Sequence, residues 1–183
     1  MREHLAVIEE VKGSVVDLGS GNARYCRDLV ELMRTTHYQN RDFYLFDWYQ
    51  ERPIGSAIDF CNYIDNTLGK TGFIVKGDLN DTVPSELPDN IALLHMDLRG
   101  TNLTIPMYRQ SINNVANHGL LVVTHGGIGG VKRDFEIFAR EMISEKIATK
   151  FVEKKDSSYI IRRNLKVIEN GKTRRQGRPE HLR

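Results

Sequence analysis

The residues best suited to bind a ligand lie in one stretch, residues 14–33. A β-branched run there ends at Asp17, Gly19 and Gly21 follow, and an amphipathic segment comes next. This order predicts a strand, a tight turn and a helix. Glycines let the backbone turn and approach a ligand closely, and the N–H groups at a helix start favour a polar or anionic group. We therefore predict a cofactor site that includes Asp17, Gly19, Ser20 and Gly21. The alternative is a connecting turn that binds nothing.

The acidic residue before the first glycine narrows the kind of ligand. The pattern Asp-x-Gly-x-Gly-x-Ala differs from the dinucleotide fingerprint Gly-x-Gly-x-x-Gly by this acid and by Ala23 in place of the last glycine. A carboxylate repels a pyrophosphate, whereas it attracts an ammonium group and accepts hydrogen bonds from hydroxyls. A nicotinamide-dependent oxidoreductase is therefore disfavoured.

Two further acids follow predicted strands. Asp47 ends an apolar strand at residues 42–47, and Asp78 ends a strand at residues 73–78. A carboxylate at the end of the second strand of a β-α-β unit is well placed to accept hydrogen bonds from ribose hydroxyls. Either acid can instead be an ordinary turn residue facing solvent. Because the glycine turn lies upstream, the sequence favours a ribose site at Asp47.

The most apolar run, residues 90–97, predicts a central strand that is buried on both faces. It carries His95 and Asp97 to the carboxyl edge of the sheet, where open α/β sheets bind ligands. The next strand, residues 119–125, ends at His125, and a histidine can take a proton from a hydroxyl near neutral pH. His125 can equally be a loop histidine bonded to the backbone, or one that shapes the pocket. His95 shares a strand face with Asp97 and is predicted to be a core or supporting residue.

The remaining segments have helical spacing or turn composition. A helix capped by Ser56 is predicted to end at Gly69, and the proline-containing residues 81–90 are predicted to form a loop. The two final segments alternate between apolar and polar residues, which predicts two strands paired as an antiparallel hairpin. The other predicted elements are helices at residues 2–12, 104–117 and 131–146, hairpin strands at 148–154 and 159–163, and loops at 37–41 and 126–130.

Length and charge indicate one domain with a basic end. A chain of 183 residues is long enough for one α/β domain, which we place at residues 1–163, followed by a tail at 164–183. The net charge of +2 is uneven, because residues 162–183 hold eight cationic and two acidic side chains. Such a tail can contact nucleic acid, but it is more often simply solvated.

Cysteine content and hydropathy point to a cytoplasmic protein. The two cysteines, Cys26 and Cys61, lie in amphipathic segments, and the first residues do not have the form of a signal peptide. No apolar run approaches the roughly 20 residues that cross a bilayer. We therefore expect no membrane partner.

Longer segments resemble the class I S-adenosylmethionine-dependent methyltransferases, and more narrowly the macrocin O-methyltransferase family. The resemblance covers roughly residues 14–145, and it depends on the glycine motif together with residues 41–53, 77–84, 91–97 and 119–123. It implies an α/β, Rossmann-like fold with a mostly parallel sheet and a C-terminal antiparallel hairpin. It also implies S-adenosylmethionine as cofactor and a hydroxyl as methyl acceptor. The implied cofactor-binding residues are Asp17, Gly19, Ser20, Gly21, Asp47, Trp48, Asp78, Leu79 and Asp97.

The sequence departs from that family where acidic residues are expected to hold magnesium. Of the Asp-x-Asp after the fourth strand only Asp97 is present, with Arg99 in the second place, and Thr124 and His125 replace the acidic pair after the fifth strand. Because magnesium prefers oxygen ligands, we predict no metal. The predicted catalytic residues are instead His125 and Asp97, with Asp97 orienting His125 or contacting the methionine end of the cofactor.

The acceptor and the assembly stay open at this point. Members of the family that the sequence resembles usually carry extra N-terminal helices that roof the substrate pocket, whereas only about a dozen residues precede the first strand here. The resemblance therefore implies a more open acceptor site, which favours a large substrate, a homodimer partner that roofs it, or a lost activity. The acceptor is a small hydroxylated molecule or RNA. For an RNA methyltransferase, Asp97, Lys132 and Glu136 only loosely imitate the Lys-Asp-Lys-Glu tetrad. A binding protein that has kept the fold and lost transfer is the third possibility.

Overall fold

The computed structural model describes residues 2–33, 41–49, 54–98, 105–124, 130–153 and 158–164. Within these ranges helices and strands alternate along the chain until two strands close it. The helices are α1 Arg2–Glu10, α2 Arg24–Met33, α3 Gly55–Leu68, α4 Leu79–Glu86, α5 Ile105–Asn114 and α6 Gly130–Ser144. The strands are β1 Ser14–Leu18, β2 Phe43–Asp47, β3 Gly72–Lys76, β4 Ile91–Met96, β5 Val115–Val123, β6 Ala148–Glu153 and β7 Tyr159–Arg163.

The seven strands form one sheet in the order β3-β2-β1-β4-β5-β7-β6. Strands β1 to β5 are parallel, whereas β7 runs antiparallel to both β5 and β6. This arrangement confirms the predicted α/β fold with a mostly parallel sheet and a C-terminal hairpin. Since all parallel strands point the same way, β1, β2, β4 and β5 end at one edge of the sheet, which we call the carboxyl edge. Their starts define the amino edge.

Two hydrophobic cores cover the two faces of the sheet. One core joins the sheet to α4, α5 and α6, and the other joins it to α1, α2 and α3. Strand β4 is buried along its whole length, as its apolar sequence predicts for the centre of a parallel sheet. The alternation of side chains along β4 sends Leu94 and Met96 to the first core and Leu93 to the second. The ends of β4 are therefore held rigidly between two layers of helices.

Two predictions about α3 and α4 are wrong. The residue before α3 is Ile54, which makes no side-chain cap, so Ser56 does not cap this helix, although Gly69 ends it in the left-handed conformation as predicted. Residues 81–90 were predicted as a loop, but α4 spans most of this segment because the Asp78 side chain caps its start by accepting from the Asn80 N–H. One cap thus outweighs the proline in this short helix.

The boundary between α5 and β5 also differs from the prediction. The helix ends at Asn114, and β5 begins at once with Val115 rather than at Gly119. On β4, Ala92 alone lies between the paired residues Ile91 and Leu93, whereas residues 116–119 lie between their partners on β5. The additional residues on β5 form a bulge, which can be recognised only from the pairing of β5 with β4. Because the apolar residues of this segment have helical spacing, the predicted helix extends to residue 117.

Several predicted segments lie outside the described residues. They are the loop at 37–41 except for Arg41, the glycine-rich loop at 126–130 except for Gly130, His125, and the basic tail beyond Asn164. The one-domain division at residue 163 therefore stays a prediction. In the part of the chain that the structure describes, no helix is both long and apolar enough to span a membrane.

Two glycines with positive φ provide a matched test of the packing. Gly69 has φ +59° with open space around a Cβ, whereas at Gly19, with φ +76°, a Cβ would overlap the backbone oxygen of Asp97. We expect Gly69→Ala to lower the free energy of unfolding by about 1–2 kcal/mol through backbone strain alone. Gly19→Ala should cost at least about 1 kcal/mol more, because the end of β4 must move. Urea denaturation measures both, and equal losses would contradict the close contact.

Candidate active site

The turn after β1 joins the ends of three strands. The N–H groups of Gly19 and Ser20 both donate to the carbonyl of Phe46 at the end of β2, at 2.8 and 3.1 Å. On the other side, Gly19 lies against the carbonyl of Asp97, which follows β4. The backbone here is left-handed at Gly19, Gly21 and also Ala23, with φ of 76°, 54° and 58°. Ala23 thus adopts a conformation that usually favours glycine.

Asp47 is held at the end of β2 by the glycine turn. Its Oδ2 accepts from the Gly21 N–H at 2.7 Å, and its Oδ1 accepts from the Tyr49 N–H at 3.4 Å. A carboxylate offers about four acceptor positions, so these two contacts among the described residues leave room for ligand hydroxyls. The neighbouring Trp48 is 53% exposed. A fixed acceptor and an exposed aromatic ring therefore lie side by side at the carboxyl edge.

The Ser20 side chain supports the turn from within. Its Oγ lies 2.7 Å from the phenol oxygen of Tyr49, and both residues are buried. Burial raises the pKa of Tyr49, an effect that the hydrogen bond with Ser20 partly offsets. Tyr49 consequently stays a neutral phenol and ties the segment after Asp47 to the glycine turn.

A buried polar chain crosses the sheet beneath this edge. Asp17 and His95 are 1% and 3% exposed, and Asp17 Oδ1 lies 2.7 Å from His95 Nδ1. On the far side of the ring, His95 Nε2 lies 3.1 Å from Thr124 Oγ1, at the end of β5. A carboxylate can only accept, so His95 Nδ1 carries a proton towards Asp17. The Thr124 hydroxyl also lies 3.4 Å from the Met96 carbonyl, to which it donates. The chain Asp17–His95–Thr124 links the ends of β1, β4 and β5.

Helices α1 and α2 enclose this chain. The ring of Tyr25 stacks on His95 with a centroid separation of 3.6 Å, and its hydroxyl lies 2.9 Å from His4 Nδ1. The Cys26 thiol donates to Asp17 Oδ2 at 3.5 Å. Burial raises the pKa of Tyr25 and of Cys26 well above their usual ranges, and the Asp17 charge adds to both shifts. The Tyr25 phenol and the Cys26 thiol therefore stay protonated at neutral pH.

Several solved methyltransferase structures have this arrangement of strands and helices. The O-methyltransferase NovP has a TM-score of 0.65 and 15% identity, with 90% of this chain and 78% of NovP covered. The calicheamicin methyltransferase CalS11 has a TM-score of 0.65 and 16% identity, covering 88% of this chain and 76% of its own. This chain has the class I methyltransferase fold.

The same fold extends to proteins with other acceptors. An rRNA methylase from Streptococcus thermophilus has a TM-score of 0.59 and 14% identity, with 90% of this chain and 95% of that chain covered. No protein-family model and no curated protein matches the sequence. Likeness at these identities establishes the fold and leaves the acceptor open.

The structure places the predicted cofactor residues of this methyltransferase fold in three settings. Asp47, Trp48 and the glycine turn adjoin one another at the carboxyl edge, and Asp97 follows β4 beside Gly19. Asp78 and Leu79 follow β3, where Asp78 Oδ1 accepts from the Asn80 N–H at 2.8 Å. Asp17 is buried against His95 and Cys26, below the turn that it precedes. Their contacts with a cofactor stay predictions.

The predicted catalytic pair is only half described. Asp97 is half-buried at the end of β4, and His125 lies outside the described residues, directly after Thr124. His95 is a supporting core residue, as its position on the strand predicted. Thr124 is not among the site residues predicted from the sequence. Its only signal is its place at the end of the fifth strand, and the partner that makes it notable, His95, becomes apparent only from the sheet register.

Metal binding has no candidate among the described residues. No cluster of three or more histidine, cysteine, aspartate or glutamate side chains has a geometry that could hold an ion there. The expected independence from magnesium stays a prediction, since Arg99 and His125 are outside the described ranges.

The burial of Cys26 predicts an unusual thiol titration. Because its pKa is raised in the folded protein, the thiol should stay protonated as the pH passes about 8.5, where an unfolded cysteine ionises. The corresponding stability is fully present below that pH and is lost as the pH rises toward the folded pKa. Thiolate absorbance of a Cys61→Ala variant, which leaves Cys26 alone, measures this. Ionisation at the ordinary pH in the folded protein would contradict the buried Asp17 contact.

Proposed function

We propose that this protein is an S-adenosylmethionine-dependent methyltransferase that methylates a hydroxyl group. The observation that carries the proposal is the bond from the Gly21 N–H to the Asp47 carboxylate, beside the exposed Trp48. An acidic residue at the end of the second strand of a βαβ unit suits hydrogen bonds to ribose hydroxyls. The acidic residue before the glycine turn would repel a pyrophosphate, so the turn suits a nucleoside. The class I methyltransferase fold of the chain supports the methyltransferase part of this proposal.

The residues at the carboxyl edge fit this cofactor chemically. Asp47 would accept from the ribose hydroxyls, and the exposed ring of Trp48 would cover the adenine. Asp78 and Leu79 would lie at the adenine, and Asp97 would attract the ammonium group of the methionine end. When bound, S-adenosylmethionine supplies a methyl group on a positively charged sulfur. The acids at the ends of β2 and β4 favour such a cation at this edge.

The buried chain provides a path for the proton of the acceptor hydroxyl. The path requires a neutral His95 ring and a Thr124 hydroxyl that donates to Nε2 at 3.1 Å rather than to the Met96 carbonyl at 3.4 Å. The Thr124 lone pairs can then accept from an incoming O–H group. Thr124 can then accept the acceptor proton while its own proton moves to His95. The imidazolium that forms is stabilised by Asp17 at 2.7 Å. This chain is compatible with a hydroxyl acceptor, because a hydroxyl loses its proton when it is methylated.

His125 is the second candidate for the base. It follows Thr124 directly, and its imidazole could take the acceptor proton without the buried chain. The two routes differ in what a change at Thr124 does. The route through Thr124 and His95 requires the Thr124 hydroxyl, whereas the route through His125 requires only that the backbone at the end of β5 keeps its position.

Calorimetric titration with S-adenosylmethionine and S-adenosylhomocysteine tests the cofactor site. Wild type should bind both without added metal, and Asp47→Asn should bind about 10- to 100-fold more weakly, because hydrogen bonds to a charged group contribute about 1.5–3 kcal/mol. Asn can still accept from the Gly21 N–H, so the turn should persist.

The matched control is Asp42→Asn, which removes the same charge from an exposed residue just before β2, at the amino edge. Its affinity should equal that of wild type. If both variants weakened cofactor binding equally, the effect would be due to net charge and not to the Asp47 site. If the wild-type protein did not bind S-adenosylmethionine, the proposed enzyme function would be refuted.

A panel of hydroxylated acceptors tests the proton path. Nucleotide sugars, phenols and transcribed RNA would be offered with S-adenosylmethionine, and S-adenosylhomocysteine formation measured. With the best acceptor, Thr124→Val should slow turnover by about 100-fold or more, the usual contribution of a general base, while Thr124→Ser restores it. Cofactor affinity should not change.

If Thr124→Val turned over at the wild-type rate, Thr124 would not take part in proton transfer, and His125 would be favoured as the base. Cofactor binding without product from any acceptor would instead support the alternative that the protein binds the cofactor and has lost transfer.

A further inference from the structure

A second concave site lies at the amino edge of the sheet, opposite the candidate active site. It is a cavity of about 510 Å³ between the end of α1, the start of β4, the bulge of β5 and the end of β7. Its volume lies within the range that small-ligand sites occupy, and it exceeds what a single inorganic anion fills. The polar lining residues are Glu10, Lys12, Asn90, Asn117, His118 and Arg162.

The β5 bulge builds one wall of this cavity at a conformational cost. The four residues 116–119 lie opposite the single residue Ala92 of β4, and three of the four, Ala116, Asn117 and His118, line the cavity. His118 adopts φ +67°, a left-handed conformation that is unfavourable for a residue with a Cβ. At Gly119 a Cβ would lie 2.9 Å from the carbonyl oxygen of Ile91, so only glycine fits. Strained, non-repetitive backbone of this kind is concentrated at binding sites.

The two arginines that end β7 have different roles. Arg163 donates to the backbone carbonyls of Asn113 and Val115 and so secures the junction between α5 and β5. Arg162 points to the opposite face of the strand, as alternation requires, and lines the cavity. With Lys12, it gives the cavity a cationic lining in which Glu10 is the one acid among the described residues.

The basic end of the chain starts at this same edge. Strand β7 runs antiparallel to β5 and therefore ends at the amino edge, where the Asn164 N–H donates to the carbonyl of Ile147 at 2.7 Å. The nineteen residues that follow, 165–183, contain six cationic and two acidic side chains.

We propose that the amino-edge cavity binds single-stranded RNA through one nucleotide and its flanking phosphates. Lys12 and Arg162 pair with the phosphates, which supply most of the affinity in such complexes. The imidazole of His118 provides a face on which an unstacked base packs, and the Asn90 and Asn117 amides suit base edges. An acidic peptide would use the two cations but not the ring, the amides or the volume. This proposal does not depend on methyl transfer, since the cavity lies at the edge opposite the candidate active site.

Fluorescence anisotropy with a labelled oligouridine tests this at several salt concentrations, using the full chain. A Lys12→Gln/Arg162→Gln variant should bind at least 10-fold more weakly. The slope of log K against log salt should also become shallower by about 1.4, because the variant loses two phosphate contacts and each contributes about 0.7. Glu10→Gln should bind more tightly than wild type.

The matched control is Lys76→Gln/Arg140→Gln, which removes the same charge from exposed positions on β3 and α6. Its affinity should stay within twofold of wild type. Equal losses in both double variants would show general polyanion attraction, and no binding by wild type would show no RNA site; either result overturns the proposal. It is also overturned if deletion of residues 165–183 abolishes binding while the Lys12/Arg162 variant binds normally. Unchanged circular dichroism establishes that each variant is folded.

Discussion

The connection between the glycine turn and the end of β2 is the constraint on which the carboxyl edge depends. One carbonyl, that of Phe46, receives the N–H groups of Gly19 and Ser20, and the Asp47 carboxylate receives that of Gly21. Buried backbone groups must find partners, so the turn cannot open without exposing several of them at once. Because Gly19 also lies against the Asp97 carbonyl, the ends of β1, β2 and β4 keep a common position. The backbone positions of Asp47, at the end of β2, and Asp97, after β4, are thereby fixed relative to each other.

The Asp17–His95–Thr124 chain is expensive to bury, which makes its presence informative. A buried carboxylate loses hydration worth several kcal/mol, and only close partners offset that loss. Here Asp17 has both His95 and Cys26, and the Tyr25 ring covers the imidazole. A hydrophobic residue at these positions would fill the same space more cheaply. The chain ends at Thr124, on the edge where the cofactor is proposed to bind, and a proton path explains why a polar chain is kept there.

Local patterns predicted the strands, the glycine turn and the order of the elements, because hydrophobic periodicity and glycine placement are properties of neighbouring residues. Features that depend on pairing were missed. The bulge at 116–119 exists only because Ile91 and Leu93 pair with Val115 and Leu120, so helical spacing carried the predicted helix past Asn114. The contact between Asp17 and His95 requires β1 to lie next to β4, and their 78-residue separation gives no local signal. At α4, one Asp78 cap outweighed a composition typical of loops.

Trp48 is the one tryptophan in the chain, and it is exposed beside Asp47, so its fluorescence reports directly on the central claim. The measurement is the emission of the purified protein during titration with S-adenosylmethionine. The account predicts a saturable blue shift, since an adenine ring that covers Trp48 removes it from water. Emission that stays unchanged up to millimolar cofactor would contradict a cofactor site at the carboxyl ends of β1 and β2.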